Sequence, residues 1–170
     1  DEINRGNLSK IFGELFMLIE SDKRGNALQL LYSDEKFYVP ANVYIIGMMN
    51  TADRSLAMLD YALRRRFAFF SILPGFQSGG FKKYKDALNN SRFNSLIACI
   101  EELNDRIAED VSLGEGFRIG HSYFCGITSI KDKTLSNIVE YEIIPLLHEY
   151  WYDDPVKVRD WADRLRSSIK

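Results

Sequence analysis

At 170 residues the chain is long enough to bury a sizeable core, either in one domain or in two small ones. Its apolar content of 46% and charged content of 27% are typical of a globular protein, and a net charge of −2 excludes an overall basic field for nucleic acid. Two cysteines and two widely spaced histidines exclude a disulfide framework and argue against a zinc site. The apolar runs are too short to cross a bilayer and no signal peptide is recognisable, so we expect a cytoplasmic protein away from membranes.

Two adjacent acids, Asp1 and Glu2, directly precede a strongly amphipathic segment. Apolar side chains recur at helical spacing between residues 8 and 19, and Asn7 is suited to cap that helix. The acids are either a solvated end or a Walker B pair. In a Walker B pair the first acid helps to hold Mg²⁺ on nucleotide phosphates and the second polarises the attacking water. The strand that carries such a pair would lie upstream of Asp1.

A buried strand is predicted at 43–49, where the run VYIIGMM ends abruptly at Asn50. Before it, 28–32 and 36–39 predict a short hairpin. An almost unbroken apolar run is typical of a strand that is covered on both faces in a parallel sheet. Ligands of such sheets bind beyond the carboxyl ends of the strands, so we expect Asn50 to face a ligand.

A helix predicted to begin near residue 54 ends in three consecutive arginines, Arg64, Arg65 and Arg66, before a second strand-like run at 67–73. Cations at the end of a helix favour its negative pole, which alone explains many such arginines. The guanidinium group is also suited to forked recognition of phosphate. Asp53 has a structural interpretation as well, because it could cap this helix together with Thr51.

The loop at 74–80 is rich in glycine and contains Pro74, and it is the predicted domain boundary. We therefore predict an α/β domain at 1–75 and a helical domain at 76–170. Apolar periodicity predicts the helices of the second domain, which cover 81–88, 91–110, 135–151 and 156–168. Pro145 lies inside the third of them and is expected to kink or break it.

A second unusual stretch, GEGFRIGHSYFC, occupies residues 114–125. Its glycines supply backbone conformations that other residues avoid, so the loop has a defined shape. Arg118, His121 and Ser122 are the candidates to face a ligand. A single histidine next to aromatic residues is also a common core or capping arrangement, and the sequence leaves both interpretations open.

Three separated strings, DEINRGN, FYVPANVYIIGMMNTADRSLAMLDYALRRRF and GFRIGHSYFCG, resemble the McrB-type AAA+ motors of McrBC modified-cytosine restriction systems. The resemblance extends from residue 1 to about residue 126. It implies an α/β fold, namely part of an AAA+ P-loop NTPase core with a parallel sheet, flanking helices and a β-hairpin. An all-α lid subdomain follows that core.

The resemblance also implies roles for the residues of the first domain. Asp1 would be the Walker B acid on the Mg²⁺ side, Glu2 the catalytic base, and Asn50 the sensor 1 amide that orients the attacking water. Arg65 and Arg66 are similar to the paired arginines of the family, of which at least one reaches the nucleotide of the neighbouring subunit.

Other residues would contact the nucleotide. Asp53, in the string NTAD, is similar to the aspartate of the guanine-reading N-K-x-D motif, although the lysine is absent and sensor 1 is the preferred role for Asn50. Arg118, His121 and Ser122 occupy the region where AAA+ lids present a sensor 2 residue. Because no sensor 2 arginine is clearly placed, these three are candidates only by position.

The family implies GTP with Mg²⁺, and ATP as the alternative. It also implies a homo-oligomeric ring, taken as a hexamer, a McrC-type nuclease partner and DNA handled by the full complex. No G-x-x-x-x-G-K-[ST] phosphate loop occurs in the sequence, so we expect the chain to be a C-terminal fragment that is inactive alone. The alternatives are an ATP-dependent MoxR-like AAA+ chaperone and a non-catalytic, degenerate AAA+ interaction module.

Overall fold

The computed structural model of the chain describes residues 1–50, 52, 64–131 and 133–170. They form two compact units, 1–71 and 72–170, which we describe separately. Within these ranges no helix is both long and apolar enough to cross a membrane. Asp53 and most of the predicted helix that leads to the arginines lie outside the described residues.

The amphipathic segment near the start of the first unit is divided into short helical pieces. A 3₁₀ turn at Ile3–Arg5 precedes helix α1, Leu8–Phe12, and a 3₁₀ stretch follows at Gly13–Ile19. Gly13 separates the last two because its φ is +51°, in the left-handed region that a continuing α-helix does not use. Phe16 and Ile19 are nevertheless buried on the predicted apolar stripe, against Ile3, Phe12 and Phe67.

The predicted hairpin is present as a two-stranded antiparallel sheet. Strand β1, Ala27–Gln29, pairs with strand β2, Lys36–Tyr38, and Ala27 lies opposite Tyr38. The tip is closed by Asp34, whose φ is +56° and whose carboxylate accepts a hydrogen bond from the Gln29 side chain at 3.0 Å. Aspartate tolerates this backbone conformation better than most residues.

The predicted parallel sheet is not confirmed. The described residues contain only the β1–β2 sheet, and neither 43–50 nor 67–73 is assigned as a strand. Tyr44 and Ile46 are 87% and 88% exposed. A strand buried on both faces needs a ladder of backbone hydrogen bonds to its neighbours and covering layers, and in the described part of this unit 43–50 forms no such ladder and leaves Tyr44 and Ile46 uncovered.

The described residues of the second unit form helices and turns and no strand, as predicted. Helices α2 (Gly79–Leu88) and α3 (Ser91–Glu109) are followed by α4 (Thr134–Ile138), a π turn (Val139–Ile143), α5 (Ile144–Tyr150) and α6 (Pro155–Ser168). The side chains of Ser78, Asn90 and Asp154 cap α2, α3 and α6, each by accepting a hydrogen bond from a backbone N–H three residues on. The π turn lies just before Pro145, where a proline ring and its missing N–H disturb a regular helix.

Helix α3 provides the central face of this unit and packs against α6. Its buried side chains recur at helical spacing, and they are Phe93, Leu96, Ile97, Ile100, Leu103 and Ile107. Helix α6 contributes Val158, Trp161 and Leu165 to the same core. This continuous core fixes the loop between α3 and α4, which carries Arg118, His121 and Ser122.

Candidate functional site

Asp1 and Glu2 lie exposed at the start of the first unit. The Asp1 carboxylate accepts a hydrogen bond from the Glu2 backbone N–H at 2.9 Å, and Glu2 has a φ of +48°. The Glu2 carboxylate forms an ion pair with Arg5 at 2.6 Å. Both side chains of this pair are largely exposed, so the pair contributes little energy and its carboxylate can exchange readily onto another partner.

Backbone and side-chain hydrogen bonds join the residues after the acid pair to the end of the VYIIGMM run. The Ile3 N–H donates to the Met48 carbonyl at 2.9 Å. The Asn4 side-chain amide, which is buried, donates to the Asn50 carbonyl at 3.2 Å. These two bonds hold the acid pair near Asn50, although Asn4 and Asn50 are 46 positions apart in the sequence.

Asn50 has a defined side-chain orientation. Its Oδ1 accepts a hydrogen bond from the Ala52 N–H at 3.1 Å, a turn that asparagine favours. Within the described ranges its Nδ2 makes no hydrogen bond, so this donor can face a ligand. Asn4 is the residue that sequence reasoning missed here. The only feature of the sequence that could have pointed to Asn4 is its position, since it is a polar residue between the acid pair and the amphipathic segment.

The arginines at the end of the predicted helix lie in different surroundings. Arg66 forms an ion pair with Glu20, and its guanidinium carbon lies 4.3 Å from the centre of the Phe16 ring. Arg64 and Arg65 are exposed. Both Arg65 and Arg66 line a cleft of about 610 Å³ in the first unit, together with Glu20, Asp22, Arg24 and Tyr44.

The lid loop holds Arg118 among carboxylates. Its Nε and Nη2 contact the Glu115 carboxylate at 2.6 and 3.1 Å, and its Nη1 contacts Asp105 at 3.1 Å. Hydrogen bonding to Glu115, followed by that to Asp105, raises the pKa of the Arg118 guanidinium. Three of its five N–H donors are engaged in these bonds, so Arg118 fixes the loop onto α3 and is largely committed to carboxylates in this conformation.

His121 occupies a structural position in the second unit. Its Nδ1 accepts a hydrogen bond from the Gly75 N–H at 2.9 Å, which requires the proton of the neutral ring to be on Nε2. The ring stands edge-on to Phe76 and Phe81. A Cβ atom at Gly75 would lie only 3.0 Å from the imidazole, so glycine permits this approach. The arrangement favours the core interpretation for His121, whereas Ser122 is exposed.

Two further residues, which the sequence reasoning did not select, fix the same loop. Asn104, 2% exposed, accepts a hydrogen bond from the Ile119 N–H at 2.6 Å and donates to the Ile119 carbonyl at 2.9 Å. The Tyr84 hydroxyl accepts from the Ile127 N–H at 2.9 Å and lies 3.0 Å from the Phe124 carbonyl. For Asn104 a signal exists, because a polar residue on the buried stripe of α3 needs internal partners.

The acid pair fits a magnesium ion bound mainly through nucleotide. Mg²⁺ is usually held by one or two protein carboxylates together with phosphates and waters. In the described part of the chain no cluster of three histidine, cysteine or acidic residues could form an all-protein cage. Asp1, exposed and with one oxygen engaged by a backbone N–H, is suited to be such a carboxylate.

Comparison with known proteins gives independent matches for the two parts of the chain. Residues 1–67 match the AAA domain (dynein-related subfamily), and residues 95–159 match the McrB alpha-helical lid domain. The chain is 52% identical, over 97% of its length, to the Type IV methyl-directed restriction enzyme EcoKMcrB subunit of Escherichia coli (strain K12). It is 32% identical, over 41% of its length, to the Type II restriction enzyme BsuMI component YdiS of Bacillus subtilis (strain 168).

The chain spans 39% of the length of the first relative and 24% of the second. Both named relatives are parts of restriction enzymes. The AAA match covers the acid pair, Asn50 and the arginines, and the lid match covers Arg118, His121 and Ser122. The chain therefore belongs to the McrB-type AAA+ family.

Proposed function

We propose that the chain is part of a GTP-hydrolysing AAA+ motor that drives DNA translocation in a modified-cytosine-specific restriction system. The observation that carries this proposal is the pair of hydrogen bonds, Ile3 to Met48 and Asn4 to Asn50, which brings the acid pair and Asn50 together. An acid pair beside a positioned amide is the arrangement that hydrolysis of a nucleoside triphosphate needs.

In the proposed reaction Glu2 accepts a proton from the attacking water. Its carboxylate can leave the exposed ion pair with Arg5 at little cost. Asn50, oriented through Oδ1 by the Ala52 N–H, directs its amide group at that water. Asp1 would hold Mg²⁺, which when bound neutralises charge on the nucleotide phosphates.

At least one of Arg65 and Arg66 supplies positive charge that acts on the nucleotide of an adjacent subunit. A trans arginine makes hydrolysis depend on assembly, so the protein is proposed to form a homo-oligomeric ring, a hexamer, with a McrC-type nuclease as its partner and DNA as the substrate of the complex. Asp53 remains a candidate for reading guanine, and Ser122 remains a candidate for contact with nucleotide. Arg118 and His121 would have to leave their present partners to take that role.

The phosphate loop pattern G-x-x-x-x-G-K-[ST] is absent from these 170 residues. The cradle and lysine that bind β- and γ-phosphates must therefore come from outside them. We expect the 170-residue chain alone neither to bind nor to hydrolyse GTP, and heat of GTP binding in calorimetry would contradict this.

The test of the function is phosphate release from GTP and from ATP by the full-length protein, with Glu2→Gln as the matched variant that keeps size and loses charge. We expect turnover of GTP that rises with protein concentration and collapses in the variant. Preferential ATP turnover would favour the MoxR-like chaperone. Absence of turnover with either nucleotide, also in the presence of the nuclease partner, would favour the non-catalytic interaction module.

A further inference from the structure

Two asparagines are buried in the described part of the chain, and they differ in how their amide groups are bonded. Asn4 is 8% exposed and Asn104 is 2% exposed. Asn104 uses both groups of its amide, since it donates to the Ile119 carbonyl and accepts from the Ile119 N–H. Asn4 donates from Nδ2 to the Asn50 carbonyl at 3.2 Å, but its buried Oδ1 accepts no hydrogen bond from any described residue. Asn104 is therefore satisfied as a core residue, whereas Asn4 is satisfied only in part.

The bonding of Asn4 is unfavourable for stability. A buried polar group without a partner loses its hydrogen bonds to water and gains none inside the protein. Leucine is close to asparagine in shape and carries no polar group, so it would suit a buried position of this kind better. Native proteins keep such groups where a role other than folding requires them. The amide of Asn4 therefore needs an explanation outside the packing of the first unit.

The segment that carries Asn4 is attached to the residues before Asn50 without the help of this amide. The Ile3 N–H donates to the Met48 carbonyl at 2.9 Å. The Ile3 side chain also lies over Gly47, where a Cβ atom would come within 2.5 Å of Ile3 Cδ1, so the glycine leaves the space that this side chain occupies. Removing the amide of Asn4 should therefore leave the attachment through Ile3 intact.

The amide of Asn4 acts instead on the main chain of Asn50. Its Nδ2 binds the Asn50 carbonyl, while the Ala52 N–H binds Asn50 Oδ1 at 3.1 Å. Asn50 is thus held through its backbone by one bond and through its side chain by the other. The backbone bond fixes the origin of the side chain, and a displacement of about 1 Å in a group that positions a reactant can cost about 10²-fold in rate.

We propose that Asn4 is a positioning residue for Asn50: its Nδ2 fixes the backbone from which the Asn50 amide reaches the attacking water. This inference rests on the proposed function and adds a residue to that same site. Asn4 lies two residues after Glu2, so one short segment carries the base and also fixes the amide that acts on the same water. The incomplete bonding of Asn4 follows, because its donor serves Asn50 rather than the stability of the core.

The test measures GTP turnover and thermal unfolding of the full-length protein, with the nuclease partner present in the turnover assay. Asn4→Leu keeps the volume and removes the amide, whereas Asn4→Ala removes the amide and leaves a cavity. Asn104→Leu is the matched substitution at the fully bonded asparagine. We expect both Asn4 variants to lower kcat by similar factors of about 10²-fold with little change in KM, because a displaced Asn50 affects the hydrolytic step more than the binding of GTP.

Thermal unfolding separates this role from a structural one. Asn4→Leu should leave the apparent Tm unchanged or raise it, because it removes an unsatisfied buried group. Asn4→Ala should lower it through the cavity that it creates. Asn104→Leu should lower it by about 4 °C or more, because the N–H and carbonyl of Ile119 both lose their partner. A loss of kcat shared by two Asn4 variants with different Tm shifts cannot result from lost stability.

A double-mutant cycle asks whether Asn4 acts through Asn50. Asn4→Leu should have little further effect on kcat once Asn50 is alanine, because the amide that Asn4 positions is then gone. Losses that multiply fully in the double variant would overturn the inference, since Asn4 would then act independently of Asn50.

Three further results would overturn the positioning role. They are a kcat for Asn4→Leu equal to that of the unaltered protein, a raised KM with unchanged kcat, and a fall in apparent Tm as large as for Asn104→Leu. In each of these cases the unaltered protein still turns over GTP, so the proposed function stands without this inference. Absence of turnover in the unaltered protein would instead overturn both.

Discussion

The helical unit at 72–170 buries its own apolar side chains, whereas the first unit leaves many of its apolar side chains in solvent. Phe93, Leu96 and Leu147 are fully buried in the helical unit. In the first unit the described core is small, and Tyr44, Ile46 and Phe70 are almost fully exposed. The difference follows from the elements: a helix satisfies its backbone internally, but a strand depends on neighbours for its hydrogen bonds.

The largest contrast should appear when matched aromatic residues are truncated in the two units. Phe93→Ala should lower the free energy of unfolding of the 170-residue chain by about 3–5 kcal/mol, because it removes a fully buried ring from the α3 face. Phe70→Ala, at a residue that is 89% exposed, should change it by less than about 0.5 kcal/mol. Denaturant unfolding followed by circular dichroism measures both, and equal losses would contradict the comparison.

The next prediction concerns Asp110, which directly follows α3 and whose carboxylate binds three donor groups. The Asp110 carboxylate accepts hydrogen bonds from Trp151 Nε1 at 2.9 Å, Lys157 Nζ at 2.7 Å and the Ser112 hydroxyl at 2.6 Å. Asp110→Ala leaves the buried indole N–H of Trp151 without this acceptor. We expect a loss of about 2–3 kcal/mol in thermal or denaturant unfolding.

The same hydrogen bonds to Asp110 predict that the free energy of unfolding depends on pH. Hydrogen bonds from Lys157 and then Ser112 hold the pKa of the Asp110 carboxyl well below its usual range. The stabilisation is therefore fully present above the unfolded-state pKa of about 3.9 and is lost as the pH falls through the lower folded-state pKa. Asp110→Asn should weaken the acid dependence of unfolding, and an unchanged dependence would contradict this role.

A smaller effect is expected where a polar side chain fixes the lid loop. Asn104→Ala removes both hydrogen bonds to Ile119 and should cost about 1–3 kcal/mol. Amide hydrogen exchange offers the sharper measurement, because the Ile119 N–H should exchange faster while amides in the middle of α3 keep their protection. Asn94→Ala, on the exposed face of the same helix, is the matched control.

The sequence predicts the helical unit well for a physical reason. The stripe that predicts a helix at 91–110 is the stripe that α3 buries, and the cap of α6 follows from Asp154 and Pro155. The helix predicted at 135–151 is interrupted by the π turn just before Pro145, where the sequence predicts a kink or break. The apolar period alone does not specify that the interruption is a π turn.

For the candidate site, sequence motifs identify chemistry but not contacts. Asp1, Glu2 and Asn50 are selected by their motifs, whereas the bonds from Asn4 to Asn50 and from Arg66 to Glu20 each span 46 residues and have no local signature. The sequence also cannot distinguish the surroundings of Arg65 from those of Arg66, because both belong to a run of three arginines. Only the tertiary structure distinguishes them.

The most direct test of the account asks whether Glu2 and Asn50 act on the same water. In the full-length protein, GTP turnover would be measured for Glu2→Gln, Asn50→Ala and the double variant. If both residues serve one hydrolytic step, the double variant should be scarcely slower than the slower single variant. Losses in kcat that multiply fully, as for independent sites, would contradict a shared site for the acid pair and Asn50.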